Sequence, residues 1–306
     1  MSMSTMPIIV IVGPTASGKT SLSIKIATSF DGEVISADSR QVYRGLDIGS
    51  GKVTKAEMAD IPHHLLDVAD PQTVYSASDF KRDATRALAD VMSRGRLPII
   101  AGGTFFYVDT LLGDISFPQV PPNDELRSEL ETKSVEDLYI TLSTLDPDRA
   151  LTIDKDNPRR LIRAIEIATA LGKVPTPVSM PSSYRSLKLG VDIDRDTLHA
   201  NIHTRLITRL EDGMVAEVEG LIAAGVTHKR LESFGLEYRY ISRYLQGQLP
   251  YDDMVTELET KIRQFAKRQY TWLKRDSDIL WVNPHDEALI HAHITDFLAP
   301  NPIPTI

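Results

Sequence analysis

The sequence predicts an α/β fold, a parallel sheet flanked by helices and carrying a helical insertion, and three observations point to it. Short apolar runs alternate with helical patterns over the first hundred residues, as βαβ units around a parallel sheet do. The first run leads directly into a glycine-containing loop and an amphipathic helix. Further along, two proline-containing loops bracket a stretch in which helical patterns dominate.

In chain order, Ile8 to Val12 is an apolar run stopped by Gly13-Pro14, which marks a buried strand and not a signal peptide or a membrane span. A helix near Thr20 to Ser29 and a second strand, Glu33 to Ala37, come next. The helix Ser78 to Arg94 leads into a third strand, Leu97 to Ala101, which ends abruptly at Gly102-Gly103. Between Gly113 and Asp124 three prolines forbid either regular element, and the loop Val174 to Ser186 is rich in Pro and Ser. The two loops bound an insertion of roughly Asp114 to Ala200, leaving a core built from residues 1–113 and 201–306. The tail from Ala299 is expected to fray.

Composition narrows the function. A chain of 306 residues with 42% hydrophobic and 25% charged side chains can bury a full core without staples. The absence of cysteine excludes disulfides, thiolate metal sites and cysteine nucleophiles. A net charge of -8 repels polyanions at long range, so any nucleic acid must be held by a local basic patch.

Residues 13 to 20 read GPTASGKT, which satisfies G-x-x-x-x-G-K-[ST] with a strand before it and a helix after it. The fold class is therefore P-loop NTPase-like. Gly13 and Gly18 let the backbone curl so that successive N–H groups point inward, and the opening helix adds its positive dipole end. Lys19 supplies a point charge, and the Thr20 hydroxyl suits Mg²⁺. Such a cradle identifies a pyrophosphate and does not identify a nucleotide, since a prenyl pyrophosphate and the β,γ-phosphates of ATP present similar charges.

Asp38 falls where the second strand ends. Ligands of open parallel sheets lie outside those ends, so Asp38 is expected to face the phosphate loop from the neighbouring strand. Its position alone leaves three roles open: general base, support for a metal, or structural cap. The segment after it, SRQVYRGLDIGSGK, is long, polar and aromatic without regular periodicity, which reads as a binding loop.

GPTASGKT, ISADSRQVYRGLDIGSGK, PHHLLD and AGGTFFYV, in this order and spacing, resemble the bacterial tRNA dimethylallyltransferases, and the match extends through DNPRRLIRAIEI and RQFAKRQYTWLKR. The resemblance implies transfer of a dimethylallyl group from dimethylallyl pyrophosphate to N6 of an adenine in the tRNA anticodon loop, with Mg²⁺ as cofactor. It implies that Asp38 takes the amine proton, that Thr15, Ala16, Ser17, Gly18, Lys19 and Thr20 hold the diphosphate, and that Asp38, Ser39, Arg40 and Gln41 border the adenine. It places Thr104 in the catalytic set with Asp38 and Lys19. Thr104 and Arg127 fall at positions where the family contacts tRNA, as does the stretch containing Arg159, Arg160 and Arg163. A cysteine-free chain lacks the zinc finger of eukaryotic relatives, which points to a bacterial cytoplasmic form with no membrane role and no obligate protein partner.

Two basic stretches break the acidic average. In KDNPRRLIRAIEI, Asn157 is a good N-cap and Pro158 suits the first helical position, so Arg159, Arg160 and Arg163 oppose the helix dipole. An anionic partner would explain them, and so would ion pairs with Asp154, Asp156 or Glu166. Residues 261–275 hold six basic residues and no acidic one. Ile262, Phe265, Ala266, Gln269, Trp272 and Leu273 repeat there at helical spacing and are expected to face a core, with Lys261, Arg268 and Arg275 opposite.

One motif departs from the family. Where an Arg usually precedes a Gly-Tyr-Arg triplet and assists the diphosphate, this chain reads RLESFGLEYRY, so Arg230 or Arg239 is a candidate substitute. Asn201 and His203 stand near another position that the family often fills with Arg. His63-His64 is expected to be structural, since adjacent side chains diverge and no second ligand pair has metal spacing. The competing reading is a small-molecule or nucleoside kinase that uses the same loop with ATP.

Overall fold

The structure, a computed structural model, describes residues 6–113, 118, 120–176, 182 and 184–299. They divide into two compact units, Met1–Gly113 with Ser182–Ile306, and Asp114–Pro181.

The first unit opens with β1 (Met6–Val12), α1 (Lys19–Ser29) and β2 (Gly32–Ser36), then α2 (Lys55–Met58), β3 (His63–His64), α3 (Ala77–Ser93), β4 (Leu97–Ala101) and α4 (Phe105–Leu112). The second unit holds α5 (Asp124–Leu130), α6 (Val135–Leu145), α7 (Pro147–Thr152) and α8 (Pro158–Leu171). The chain then returns through β5 (Tyr184–Val191), α9 (Arg195–Glu211), α10 (Met214–Ala223), α11 (His228–Phe234) and α12 (Leu236–Leu245). It ends with α13 (Tyr251–Leu273), β6 (Ile279–Val282) and α14 (Glu287–Leu298).

The six strands form one sheet in the order β3-β2-β4-β1-β5-β6, with every pairing parallel. Alternate residues of β1 feed different cores, because successive side chains leave a strand on opposite faces. Ile8, Val10 and Val12 pack with Phe80, Leu88 and Leu111 on one face, and Ile9 and Ile11 pack with Leu22, Ile26 and Ile290 on the other. Both faces are covered by helices, which is why the strand reads as an unbroken apolar run.

The three strands and two helices expected in the first hundred residues are present within one or two residues of their predicted bounds. Two expectations need correction. The two loops place the end of the insertion at Ala200, but residues 184–191 form β5 in the sheet and α9 packs Ile202 and Leu206 into a core of the first unit, so the second unit ends at Pro181. β5 is hidden because its first half, Tyr184, Arg185, Ser186 and Lys188, is mostly polar and only half-buried, and because it follows directly on the Pro- and Ser-rich loop. Also, β2 does not neighbour β1: β4 lies between them, so the ends of β1 and β2 are not in register through a common ladder.

Helices α9 to α13 build a separate core with the loop that follows β2. Val42, Tyr43 and Leu46 of that loop pack among Leu206, Met214, Val218, Phe234 and Tyr238. The second unit has its own core of Leu130, Leu138, Leu142, Leu161 and Ile165. As expected, Asn157 caps α8, accepting from the Arg160 N–H at 3.2 Å, with Pro158 at the first helical position. Among the described residues no helix is long and apolar enough to cross a membrane. The tail expected to fray lies outside the described residues from position 300 onward.

Candidate active site

The phosphate loop joins β1 to α1. Gly18 sits in the left-handed region at φ 93°, which a Cβ would strain, and this turn aims the loop amides inward before the helix begins at Lys19. Ser17 is buried and its hydroxyl has no partner among the described residues, and Lys19 Nζ has turned back to donate to the Pro14 carbonyl at 2.6 Å. The Thr20 hydroxyl is exposed and has no partner among the described residues, so it is available to a cation.

Lys19 is pushed down to about 7, first by burial and then by the nearby Arg205, while Asp38 pulls in the opposite direction. Arg205 is itself lowered to about 10 by desolvation and by Arg209. It is surrounded by protein yet open to water, as a side chain lining a concave cleft is. That cleft is lined by Thr15, Ala16, Arg205, Arg209 and Glu237 over an apolar floor of Ile202, Leu206 and Ile262. Three cations beside an inward-facing nest of amides form a site for a polyanion.

Asp38 follows β2 and is half-buried. Its Oδ1 accepts the N–H groups of Arg40 at 2.9 Å and Gln41 at 3.4 Å, whereas Oδ2 has no partner among the described residues. The first contacts fix the carboxylate, and the second oxygen is left able to take a proton. Thr104, on the loop after β4, holds the next residue: its Oγ1 accepts the Ser39 N–H at 3.0 Å and donates to Ser39 Oγ at 3.1 Å. Gly102 is required there because a Cβ would collide with the Ala37 backbone.

The binding loop is anchored at several points. Glu217 of α10 accepts the consecutive N–H groups of Asp47 at 2.9 Å, Ile48 at 2.6 Å and Gly49 at 3.0 Å, as well as the Tyr238 hydroxyl at 2.9 Å. Arg40 donates to Glu237 at 3.1 Å and lies 5.8 Å from the Phe265 ring centroid. Gln41 donates to the Gly51 carbonyl at 3.2 Å. Gln269 of α13 bridges the phosphate loop and the loop after β4, accepting from the Thr15 N–H at 2.9 Å and donating to the Gly103 carbonyl at 3.1 Å.

The site therefore gathers Gly13, Thr15, Ala16, Ser17, Gly18, Lys19 and Thr20 with Asp38, Ser39, Arg40, Gln41 and Thr104, all within the first unit. Arg205, Arg209, Glu217 and Gln269 were not expected there. Arg230 and Arg239, the candidate substitutes for the missing Arg, are engaged elsewhere. Arg230 donates to the Pro71 carbonyl at 2.8 Å and lies over Tyr43 and Phe234, and Arg239 pairs with Glu232 at 3.0 Å. Asn201 donates to the Ala16 carbonyl at 3.2 Å, while His203 points to Glu259 at 3.0 Å. His63 and His64 are structural, with ring nitrogens on the Ile61 carbonyl at 2.8 Å and Glu33 at 2.7 Å.

Within the second unit Arg127 and Arg163 converge on the buried Glu166, which also accepts the Asn123 N–H at 2.7 Å. Burial alone would raise the Glu166 carboxyl, but hydrogen bonds from Arg127, Asn123 and Arg163 outweigh it and hold the group below the usual carboxylate range. Its stabilising effect is present above the ordinary value of 4.5 and is lost as pH falls through the folded value. Glu166→Ala is expected to destabilise this unit by about 2–3 kcal/mol, as measured by denaturant unfolding, because two guanidiniums lose their common partner. Arg159 and Arg160 remain exposed; Arg160 reaches Asp154 at 3.5 Å with its side chain 65% accessible. Lys261 and Arg268 of α13, and Arg275 just beyond its end, are exposed, while Ile262, Ala266, Gln269 and Leu273 are buried. Trp272, expected in the core, stacks on Phe105 but keeps 39% of its surface exposed.

Residues 41–276 match the family of IPP transferases. A tRNA dimethylallyltransferase 2 of Shewanella sediminis is 44% identical over 273 residues, covering 89% of this chain and 90% of the relative. A tRNA dimethylallyltransferase of an Exiguobacterium species is 43% identical over 287 residues, covering 92% and 91%. Among solved structures, the tRNA isopentenylpyrophosphate transferase of Bacillus halodurans superposes with a TM-score of 0.73 at 34% identity, covering 96% of this chain and 97% of that one. A eukaryotic dimethylallyltransferase acting on tRNA superposes with a TM-score of 0.79 at 25% identity, covering 98% and 81%.

Proposed function

The chain belongs to the IPP transferase family, and from that premise we propose that it transfers a dimethylallyl group from dimethylallyl diphosphate to N6 of an adenine in the anticodon loop of tRNA, releasing pyrophosphate. The observation that carries the reading is a cationic phosphate cradle facing an aspartate that has one oxygen fixed by backbone amides and the other free.

An adenine amine is a poor nucleophile because its lone pair is delocalised into the ring. Rate must come from the leaving group. As the amine nitrogen bonds to the allylic carbon, the carbon–oxygen bond to diphosphate breaks and negative charge collects on the departing oxygens. The amides of residues 16–20 and Arg205 stabilise that charge, joined by Lys19 once its ammonium leaves the Pro14 carbonyl. The N6 proton becomes acidic as the new bond forms, and Asp38 Oδ2 takes it, a step worth about 10²- to 10⁴-fold. Ser39, Arg40, Gln41 and Thr104 border the adenine, which must leave its stack at a cost of a few kcal/mol. A looped strand lowers that cost.

Mg²⁺ fits this donor set. The exposed Thr20 hydroxyl stands beside a cradle for a polyanion, which suits an ion that takes most of its ligands from substrate phosphate oxygens and water. Thr20 would hold it through its hydroxyl, and when bound it supplies further charge neutralisation at the diphosphate. The strand β4 ends in Gly102-Gly103 where a phosphotransferase would need a metal-binding carboxylate, which argues against the kinase reading.

The acidic chain contacts tRNA through local patches, in a cytoplasmic setting. Arg159 and Arg160 are exposed at the start of α8, Arg160 reaching only the exposed Asp154, while Arg127 and Arg163 serve tRNA only with charge already shared with Glu166. Neutralising Arg159 and Arg160 is expected to flatten the salt dependence of tRNA binding by about one log unit of slope per lost phosphate contact. An unchanged slope would return both to a solvated face.

The function is tested by incubating the protein with Mg²⁺, labelled dimethylallyl diphosphate and unmodified tRNA, then digesting the RNA. Prenylated adenosine is expected. Stoichiometric ADP from ATP and a small acceptor, with no prenylated nucleoside, would replace prenyl transfer by phosphoryl transfer.

A further inference from the structure

The buried residues of α13 are Met254, Leu258, Ile262, Ala266, Gln269 and Leu273, and only Gln269 is polar. It is 6% exposed. A primary amide in such a row is costly unless both its ends find partners. Both do. Oε1 accepts the Thr15 N–H at 2.9 Å, 254 residues away, and Nε2 donates to the Gly103 carbonyl at 3.1 Å, 166 residues away. The partners dictate which end is which, since an N–H needs an acceptor and a carbonyl needs a donor.

These contacts brace two loops beyond the ends of neighbouring strands. The phosphate loop follows β1 and Gly103 follows β4, which pairs with β1 on one side and with β2, the strand before Asp38, on the other. From Gly103 the connection continues one residue on: the Thr104 N–H donates to the Ala37 carbonyl at 3.1 Å, and Thr104 Oγ1 accepts the Ser39 N–H at 3.0 Å. We propose that Gln269 is a positioning residue for prenyl transfer, locking the phosphate loop to the turn at Gly103 and so holding the diphosphate cradle and Asp38 in one register. The assignment rests on the transferase reading for its reaction, though not for its geometry.

The amide supplies a donor and an acceptor from one planar head. Ionised glutamate offers acceptors only and would face the Gly103 carbonyl, and methionine fills the volume with no polar atom. Gln269→Met is expected to raise the KM for dimethylallyl diphosphate about tenfold and to lower kcat about tenfold, with tRNA affinity within about twofold. Gln269→Glu, close to isosteric, keeps an acceptor for Thr15 and loses the donor to Gly103, so it shifts both constants in the same direction. A residue that merely filled space would reduce the active fraction, lowering kcat at constant KM. A donor KM within about twofold of wild type in either folded variant overturns the proposal.

Amide hydrogen exchange with magnesium pyrophosphate as the probe reads the coupling without turnover. In the wild type, slowed exchange is expected at residues 13–20, 38–41 and 102–104, and in Gln269→Met only at 13–20. Protection that persists at 38–41 in that variant also overturns the proposal. Coupled exchange in a wild type that forms no prenylated adenosine would sink the transferase reading and leave the clamp standing.

Discussion

Asp38→Ala is expected to lower kcat at least about 10²-fold while tRNA affinity stays within about twofold. The side chain has two separable contributions. Oδ1 caps the turn by accepting the Arg40 and Gln41 N–H groups, and Oδ2 is the oxygen free to receive a proton. Alanine removes both, so the informative companion is Asp38→Asn, whose amide oxygen still caps the turn but whose amide nitrogen cannot act as a base. If Asp38 is the base, Asn is as slow as Ala. Recovery of activity in Asn would reduce the residue to a cap. A role in holding the metal would appear as partial rescue of either variant by raised Mg²⁺, measured at saturating tRNA.

Lys19→Met is expected to lower kcat/KM for the prenyl diphosphate about 10²- to 10³-fold, the usual cost of removing one stabiliser of developing negative charge. Its environment also sets a pH signature. In the ligand-free protein the ammonium is pushed down to about 7, by burial first and by Arg205 second. A bound diphosphate favours the charged form and raises that value again, so binding above pH 7 takes up a proton. Affinity is therefore full below the free value, and it falls by about one log unit per pH unit as pH climbs towards the value in the complex. Calorimetry in buffers of different ionisation enthalpy measures the uptake. Comparison with Lys19→Met cancels the titration of the ligand itself, and equal pH slopes in the two proteins would remove Lys19 from the linkage.

Much of the cradle was readable because it is local. Strand, glycine loop and helix follow one another over residues 6–29, and the backbone freedom of Gly18, the charge of Lys19 and the apolar run of β1 each act over a few residues. Asp38 and the loop after it were legible for the same reason, as the end of a strand followed by a segment without period. The Asn157 cap of α8 likewise depends only on its own neighbours.

The sequence by itself thus determined a parallel α/β core with a phosphate loop, an aspartate at a strand end, and a family whose chemistry needs both. Tertiary structure alone decided that β4 separates Asp38 from the phosphate loop, that Arg205 and not Arg230 or Arg239 stands beside Lys19, and that Gln269 braces the phosphate loop against the turn at Gly103. It also decided that β5 belongs to the sheet and that Glu166 draws in two arginines. The physical reason is the range of each interaction. Backbone preference and hydrophobic period are set by near neighbours, whereas a buried polar group or charge is satisfied by whatever the fold carries to within 3 Å of it, here from as far as 254 residues away.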